Sequence, residues 1–270
     1  MSRLLTSALL TLCVLAPLRA AEKTATLDGF SVTYDDATFP SAKAEEQKKL
    51  TNQKNGSDIP TEVGPKHPLF VLHDKRAAGA EDLELNRIEI FPLADASVKS
   101  FASAYPDVSG GAKDLAAFLK SAPTEIPWIS QDAKPSKKKA ATVPALRFYD
   151  AAFAFQAKPH YFENDQLHGV FYLVEYTQES TFYPVNGDIF YAFAGLSKDG
   201  RFSITAEFSV AHPSLPANFD AAPEAAKNGK VPVAELKKIV AALAAQPDDS
   251  FTPKLADLQA IVASLKLPAK

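Results

Sequence analysis

With 270 residues, 29 basic against 32 acidic side chains and a net charge of −3, the chain has length enough for one large domain and no electrostatic footprint for nucleic acid or an anionic membrane. Its one cysteine, Cys13, and its one methionine, Met1, both sit at the extreme N-terminus. A disulfide framework is therefore excluded.

Residues 1–21 have the layout of a secretory signal: Arg3, an apolar run over residues 4–16 too short to span a bilayer, Pro17, then Ala20 and Ala21 as a cleavage site. Leu12 stands before Cys13 where lipidation needs a small residue, so no acyl anchor is expected. Removing Arg3 and Arg19 leaves 27 basic and 32 acidic residues, a net charge of −5, on a mature domain of residues 22–270. No later stretch is apolar enough to span a membrane. Export without disulfides points to a bacterial periplasm or medium.

Alternation of Phe30, Val32 and Tyr34 with Ser31 and Thr33 predicts a half-buried strand over 27–34. The polar stretch from 40 to 66 has little to bury and is expected to be a mobile loop or a short exposed helix. Strands are expected at 69–73 and 86–93, the latter with Ile88 and Ile90 inward and Arg87 and Glu89 outward. Asp95 caps a helix carrying Val98, Phe101, Ala102 and Tyr105 on one face. Gly110-Gly111 is expected to end that pattern before further helical turns at Leu115, Phe118 and Leu119. Four prolines and the Lys134–Lys139 cluster make 123–144 a surface connection without aromatic residues for base stacking in its basic part.

The second half is aromatic and β-forming, with strands expected at 145–155, 169–176, 187–196 and 201–210. The third is apolar at nearly every position, as in a central strand covered on both faces. The fourth alternates Phe202, Ile204, Ala206, Phe208 and Val210 with Ser203, Thr205, Glu207 and Ser209, one face packed and the other towards water. Residues 197–200 form a tight turn, with Gly200 at positive φ. Two helices close the chain, one with Pro232 in its first turn, one capped by Thr252 and begun by Pro253. The whole reads as α+β, a mainly antiparallel sheet covered by helices, in a single domain.

Familiar catalytic patterns are missing: no G-x-S-x-G elbow, no phosphate-cradling glycine loop, no H-E-x-x-H and no acidic calcium loop. Ser136-Lys-Lys-Lys139 matches S-x-x-K only formally. Glu175 is the unusual side chain, a carboxylate in an otherwise apolar strand, where desolvation would raise its pKa. It ends its strand, pairs with Arg147 or Arg201, or acts with Asp188 or Glu179 in acid–base chemistry. Tyr176, Tyr183, Asp188 and Tyr191 complete with Glu175 a candidate ligand-binding set, and Tyr172 belongs to the same aromatic group. His160 and His168 flank a possible hairpin at Asn164-Asp165 that would bring two imidazoles together for a metal, or leave two ordinary histidines at a polar tip. His212, before Pro213, reads as a loop residue rather than a general base. No catalytic residue, metal site or cofactor is assigned.

The block Tyr183-Pro-Val-Asn-Gly-Asp-Ile-Phe-Tyr-Ala-Phe-Ala-Gly-Leu-Ser-Lys-Asp-Gly-Arg-Phe-Ser-Ile204, continued by Phe208-Ser-Val-Ala-His-Pro-Ser-Leu-Pro216, resembles one found in a group of secreted or lipid-anchored bacterial proteins of unassigned activity. The ending 250–264 is similar too. Where that group tends to have basic or polar residues, this chain has Phe171, Val174 and Glu175. The opening strand and final helix also resemble the PsbP-like α-β-α sandwich in fold pattern. Together these features lead to an exported, non-enzymatic binding or interaction protein of the bacterial envelope, with an unknown envelope protein or small ligand as partner. The alternatives are an envelope-polymer hydrolase using Glu175 or His168 and a metal-binding module using His160 and His168. Export predicts cleavage after Ala20 or Ala21 and no acyl group. Intact-mass measurement of the exported protein checks this, and a retained N-terminus or an added acyl mass overturns it.

Overall fold

The structure, a computed structural model, describes residues 21–48, 66–75, 86–94, 106–124, 126, 128–129, 142–144, 146, 151–178 and 182–269. The signal segment 1–20, the helix expected from Asp95 to Tyr105 and the Lys134–Lys139 cluster lie outside the described residues.

An N-terminal hairpin of β1 (Glu22–Leu27) and β2 (Phe30–Asp35) stands beside an eight-stranded sheet. The sheet comprises β3 (Ser41–Gln47), β4 (His67–His73), β5 (Arg87–Pro92), β6 (Trp128–Ile129), β7 (Ala152–Glu163), β8 (Leu167–Thr177), β9 (Ile189–Ser197) and β10 (Phe202–Ser209). Its order is β3-β4-β5-β10-β9-β8-β7-β6, and each paired neighbour is antiparallel. Among the described residues there are four α-helices, in chain order α1 (Pro106–Ser121), α2 (Glu224–Lys227), α3 (Val233–Ala244) and α4 (Leu255–Ala263).

Three sequence expectations need correction here. Residues 27–34 are no single strand: Asp28 and Gly29 take φ of 48° and 84° and turn the chain into a hairpin, the positive-φ pair that an Asp-Gly two-residue loop favours. Residues 41–47, expected in a loop or helix, form β3, because pairing with β4 from Ser41↔His73 to Gln47↔His67 satisfies their backbone. Residues 49–65 lie outside the described residues. Helix α1 runs straight through Gly110-Gly111, so the glycine pair does not end it.

Strand and helix boundaries shift as well. Of the strand expected at 145–155, residues 145 and 147–150 lie outside the described residues, and β7 runs from Ala152 to Glu163. Helix α4 is entered from Lys254, while Thr252 pairs with Ala211 outside it. Pro232 stands at the N-cap of α3, one place before its first turn.

Period-two alternation divides the sheet into two covered faces. On the first, Phe171, Leu173, Tyr191, Phe193, Ile204, Phe208, Ile88, Ile90 and Phe70 join one core with the inward stripes of α3 and α4 and with Phe30, Val32 and Tyr34 of the hairpin. On the second, Val170, Tyr172, Val174, Ala192, Ala194 and Leu196 pack against Leu115 and Phe118 of α1. Strand β9 is thus central and covered on both sides, as its composition implied.

Strand β7 carries two register shifts, each setting one extra residue against β8: Phe153/Phe155 and Ala157/His160. Lys158, at the second, takes φ of 52°, and its ammonium reaches the carbonyls of Ala244 and Gln246 at 3.3 and 2.8 Å and Asp248 at 3.0 Å. A cation thereby closes the C-terminal end of α3, where unpaired carbonyls and the helix dipole favour it.

At the centre Gly169 pairs with Gly195, and the Phe193 ring lies over both. A Cβ at Gly169 would come within 2.5 Å of that ring, and one at Gly195 within 2.4 Å. Gly169→Ala and Gly195→Ala are each expected to cost about 2–3 kcal/mol by overpacking, read from urea unfolding. Adding Phe193→Leu to Gly195→Ala should recover part of that loss.

Candidate functional site

The alternating pattern of β10 led to the expectation of a wet polar face, but Ser203, Thr205, Glu207 and Ser209 are all buried. Register explains how they are satisfied. Thr205 stands opposite Glu89 and Glu207 opposite Arg87, so the three strands β4, β5 and β10 pool their polar side chains on one face. Glu207 accepts hydrogen bonds from Arg87 Nε at 3.2 Å and from the Tyr176 hydroxyl at 2.8 Å. Glu89, expected to point to water, is buried instead, meeting His67 Nε2 at 3.3 Å and accepting from Thr205 Oγ1 at 3.4 Å. His67 lies against the Phe91 ring, and Asn86 Oδ1 accepts from the Ser209 amide. Tyr172, buried on the same face, is raised above the ordinary tyrosine pKa by desolvation and by the Glu207 charge. Sequence inspection missed this constellation. Its visible signal was the run of polar residues at alternate positions of β10 facing Arg87 and Glu89.

Glu175 lies on the opposite face of the sheet. It is 4% exposed, with Phe155 across from it on β7 and Ile189 across from it on β9, both fully buried. Its Oε2 has no hydrogen-bond partner, the one such buried side-chain atom found among the described residues. Burial, and secondarily the charge of Asp188, hold the carboxyl well above the usual carboxylate range. Asp188 occupies the turn that leads into β9, a surface position where its carboxylate is partly desolvated and its own pKa raised. Arg201 is no partner of Glu175: it bonds Asp199 and the Pro268 carbonyl. Arg147 and Glu179 lie outside the described residues.

The five candidate ligand residues do not share one surface. Tyr191 is on Glu175's face, stacked on Phe171 at 5.3 Å, and its hydroxyl accepts from Gln259 Nε2 at 2.8 Å. Tyr183 packs where the main core meets a small cluster of Val185, Ala222 and Ala226. Tyr176 is on the other face with Glu207. Glu175 and Tyr191 therefore share one face of the sheet, with the Asp188 charge reaching Glu175, while Tyr176 lies on the other face.

The metal pair fails on geometry. The hairpin turns at 164–166 as expected, with Asn164 Oδ1 accepting from the Gln166 and Leu167 amides. His160, however, stands opposite Phe171, and His168 opposite Glu163. Phe171 and His168 are three positions apart on one strand, so the imidazoles project from opposite faces of the sheet.

His212 is a buried loop residue, as expected. Its Nδ1 accepts from the Ser214 amide at 3.2 Å and lies 2.7 Å from Ser214 Oγ, while Nε2 meets Ser250 Oγ at 3.1 Å. Desolvation lowers its pKa. Asn186 fastens the same loop, donating to the carbonyls of His212 and Leu215 and accepting from the His212 amide. These residues work as a clamp between the turn before β9 and the loop after β10.

No protein family, curated protein or solved structure matches the chain. Among the described residues no helix is long and apolar enough to cross a membrane.

A raised carboxyl pKa means the native state binds its proton more tightly than the unfolded chain, so stability falls as pH rises from the unfolded value of about 4.3 towards the folded one. Glu175→Gln cannot ionise. Its stability advantage over the natural protein should be smallest near pH 4 and grow as pH rises towards the folded pKa, at up to about 1.4 kcal/mol per pH unit, in urea unfolding.

Proposed function

We propose that this chain is an exported, non-enzymatic binding protein of the bacterial envelope, which takes up its ligand at Glu175, with Asp188, Tyr183 and Tyr191 as further candidate contacts. The observation that carries the reading is the unpartnered Oε2 of Glu175. Leaving a buried polar atom without a hydrogen bond costs about 1–3 kcal/mol, a cost that a ligand supplying the missing group would remove. Elsewhere in the sheet the carboxylates are spent on architecture: Glu207 on Arg87 and Tyr176, Glu89 on His67 and Thr205. The signal-like N-terminus supports periplasmic or secreted placement.

Burial raises the Glu175 pKa, and in its protonated form the carboxyl would present one O–H donor and one carbonyl acceptor, roles that the amide group of a glutamine can also fill. Calorimetric titration of a panel of amino acids, polyamines, short peptides and oligosaccharides tests this. Glu175→Gln should retain the affinity of any ligand found within about 1 kcal/mol. Glu175→Leu should weaken it at least tenfold, about 1.4 kcal/mol, while raising thermal stability. No turnover is expected on esters, peptides, glycans or phosphates, with His168→Ala as silent as Glu175→Gln. Turnover abolished by either substitution overturns the binding reading in favour of a hydrolase.

A further inference from the structure

We propose that Ser214 is a nucleophile with His212 as its general base and Ser250 as the group that orients the imidazole, and that it takes up a single acyl group from activated esters. The side chains converge from separate loops, one after β10 and one between α3 and α4. Ser214 Oγ lies 2.7 Å from His212 Nδ1, and Nε2 of the same ring lies 3.1 Å from Ser250 Oγ. A hydroxyl within hydrogen-bond reach of a base that a third group orients is the arrangement that activates a serine.

The tautomer follows from the partners. A neutral imidazole carries a single N–H. The Ser214 amide can only donate, and it meets Nδ1 at 3.2 Å, so Nδ1 holds the lone pair and Nε2 the proton. Nε2 therefore donates to Ser250 Oγ, which itself donates to the Pro247 carbonyl at 2.6 Å. With Nδ1 as acceptor, the Ser214 hydroxyl donates to it, the direction in which a general base removes a proton. Desolvation lowers the His212 pKa and so favours this neutral ring.

Position is fixed as closely as protonation. The Asn186 side chain holds both the amide and the carbonyl of His212, at 2.8 and 3.2 Å. The imidazole lies against Phe251 with ring centroids 4.9 Å apart, and the preceding Ala211 exchanges backbone hydrogen bonds with Thr252. Pro213, with its φ locked, sets the short span between base and nucleophile. His212 is 4% exposed whereas Ser214 is exposed, so an ester meets the hydroxyl from solvent while the base stays dry.

In the reaction Ser214 Oγ attacks the carbonyl carbon of the ester and passes its proton to His212 Nδ1. The bond between that carbon and the alcohol oxygen then breaks, and the leaving oxygen takes the bonding electrons and the proton. Hydrolysis of the acyl-serine needs a water activated at Nδ1, but His212 is buried and its lone pair stays engaged by the Ser214 amide. The acyl group therefore remains, one per chain and without turnover, whether or not a ligand binds at Glu175.

Treating the processed protein with p-nitrophenyl acetate should release a burst of about one equivalent of p-nitrophenol per chain, with the acetyl group placed on Ser214 by peptide mass spectrometry. Ser214→Ala should abolish the burst. His212→Asn should slow it at least about a hundredfold, the lower end of what a positioned base contributes. An asparagine Oδ1 still accepts from an amide two residues on, which preserves the loop, and circular dichroism shows that both variants are folded. Nitrogen NMR should find that the histidine signals lost in His212→Asn are those of a protonated Nε2 and a bare Nδ1. No burst, acetylation confined to lysines, a burst unchanged by either substitution, or the opposite tautomer overturns the proposal. Steady release after the burst overturns the arrest of the acyl form.

Discussion

Strands β8, β9 and β10 run through the middle of the sheet with both faces out of water. Any polar group they carry has to be matched inside the protein, because an unmatched one costs more than most single contacts contribute. The apolar majority meets this by packing: Phe193 roofs the Gly169–Gly195 pair on one face while Ala192 and Ala194 keep the other shallow enough for α1. The polar minority meets it by drawing on neighbouring strands. Glu207 finds Arg87 one strand away in one direction and Tyr176 two strands away in the other, which ties β5, β10 and β8 together across the sheet. Glu175 is the exception, and that is why a functional reading settles on it.

Much of the sheet was legible from residue pattern. Continuous apolar runs marked β9 as central, and the Ser197–Gly200 turn was visible from its glycine, which takes φ of 72°. What was not legible depended on partners. Strand β3 has a composition suited to a loop and is a strand because β4 supplies its hydrogen bonds, the usual way tertiary context overrides local preference. The polar face of β10 alternates like a surface, and nothing within β10 tells that Arg87, Glu89 and Tyr176 will meet it. One feature was readable locally: Asp28-Gly29 is a short-range hairpin signal inside residues whose alternation alone reads as one strand.

The candidate site divides in the same way. That Glu175 is out of place among apolar neighbours is visible in the sequence; that its Oε2 lacks a partner, and that Arg201 is spent elsewhere, belongs to three dimensions. The tyrosines looked equivalent along the chain, but Tyr176 and Tyr191 fall on opposite faces. The Asn186 and His212 clamp joins two parts of the aromatic block that sequence alone could only set side by side.

The extra residue at Lys158 acts on strand β7 much as a frameshift acts on a message. Before it, Phe155 and Ala157 face the main core; after it, Phe162 does, with the exposed His160 on the same side of the strand, and Tyr161 turns the other way to lie against Phe118. Deleting any single residue between 158 and 160 would restore plain alternation and exchange the environments of Tyr161 and Phe162 without altering either side chain. Length changes in this stretch are thus constrained by parity, with paired insertions or deletions preserving which side chains face inward and single ones inverting them. The lysine whose ammonium closes α3 is also the residue that keeps this phase, so helix end and strand inheritance are bound to one position.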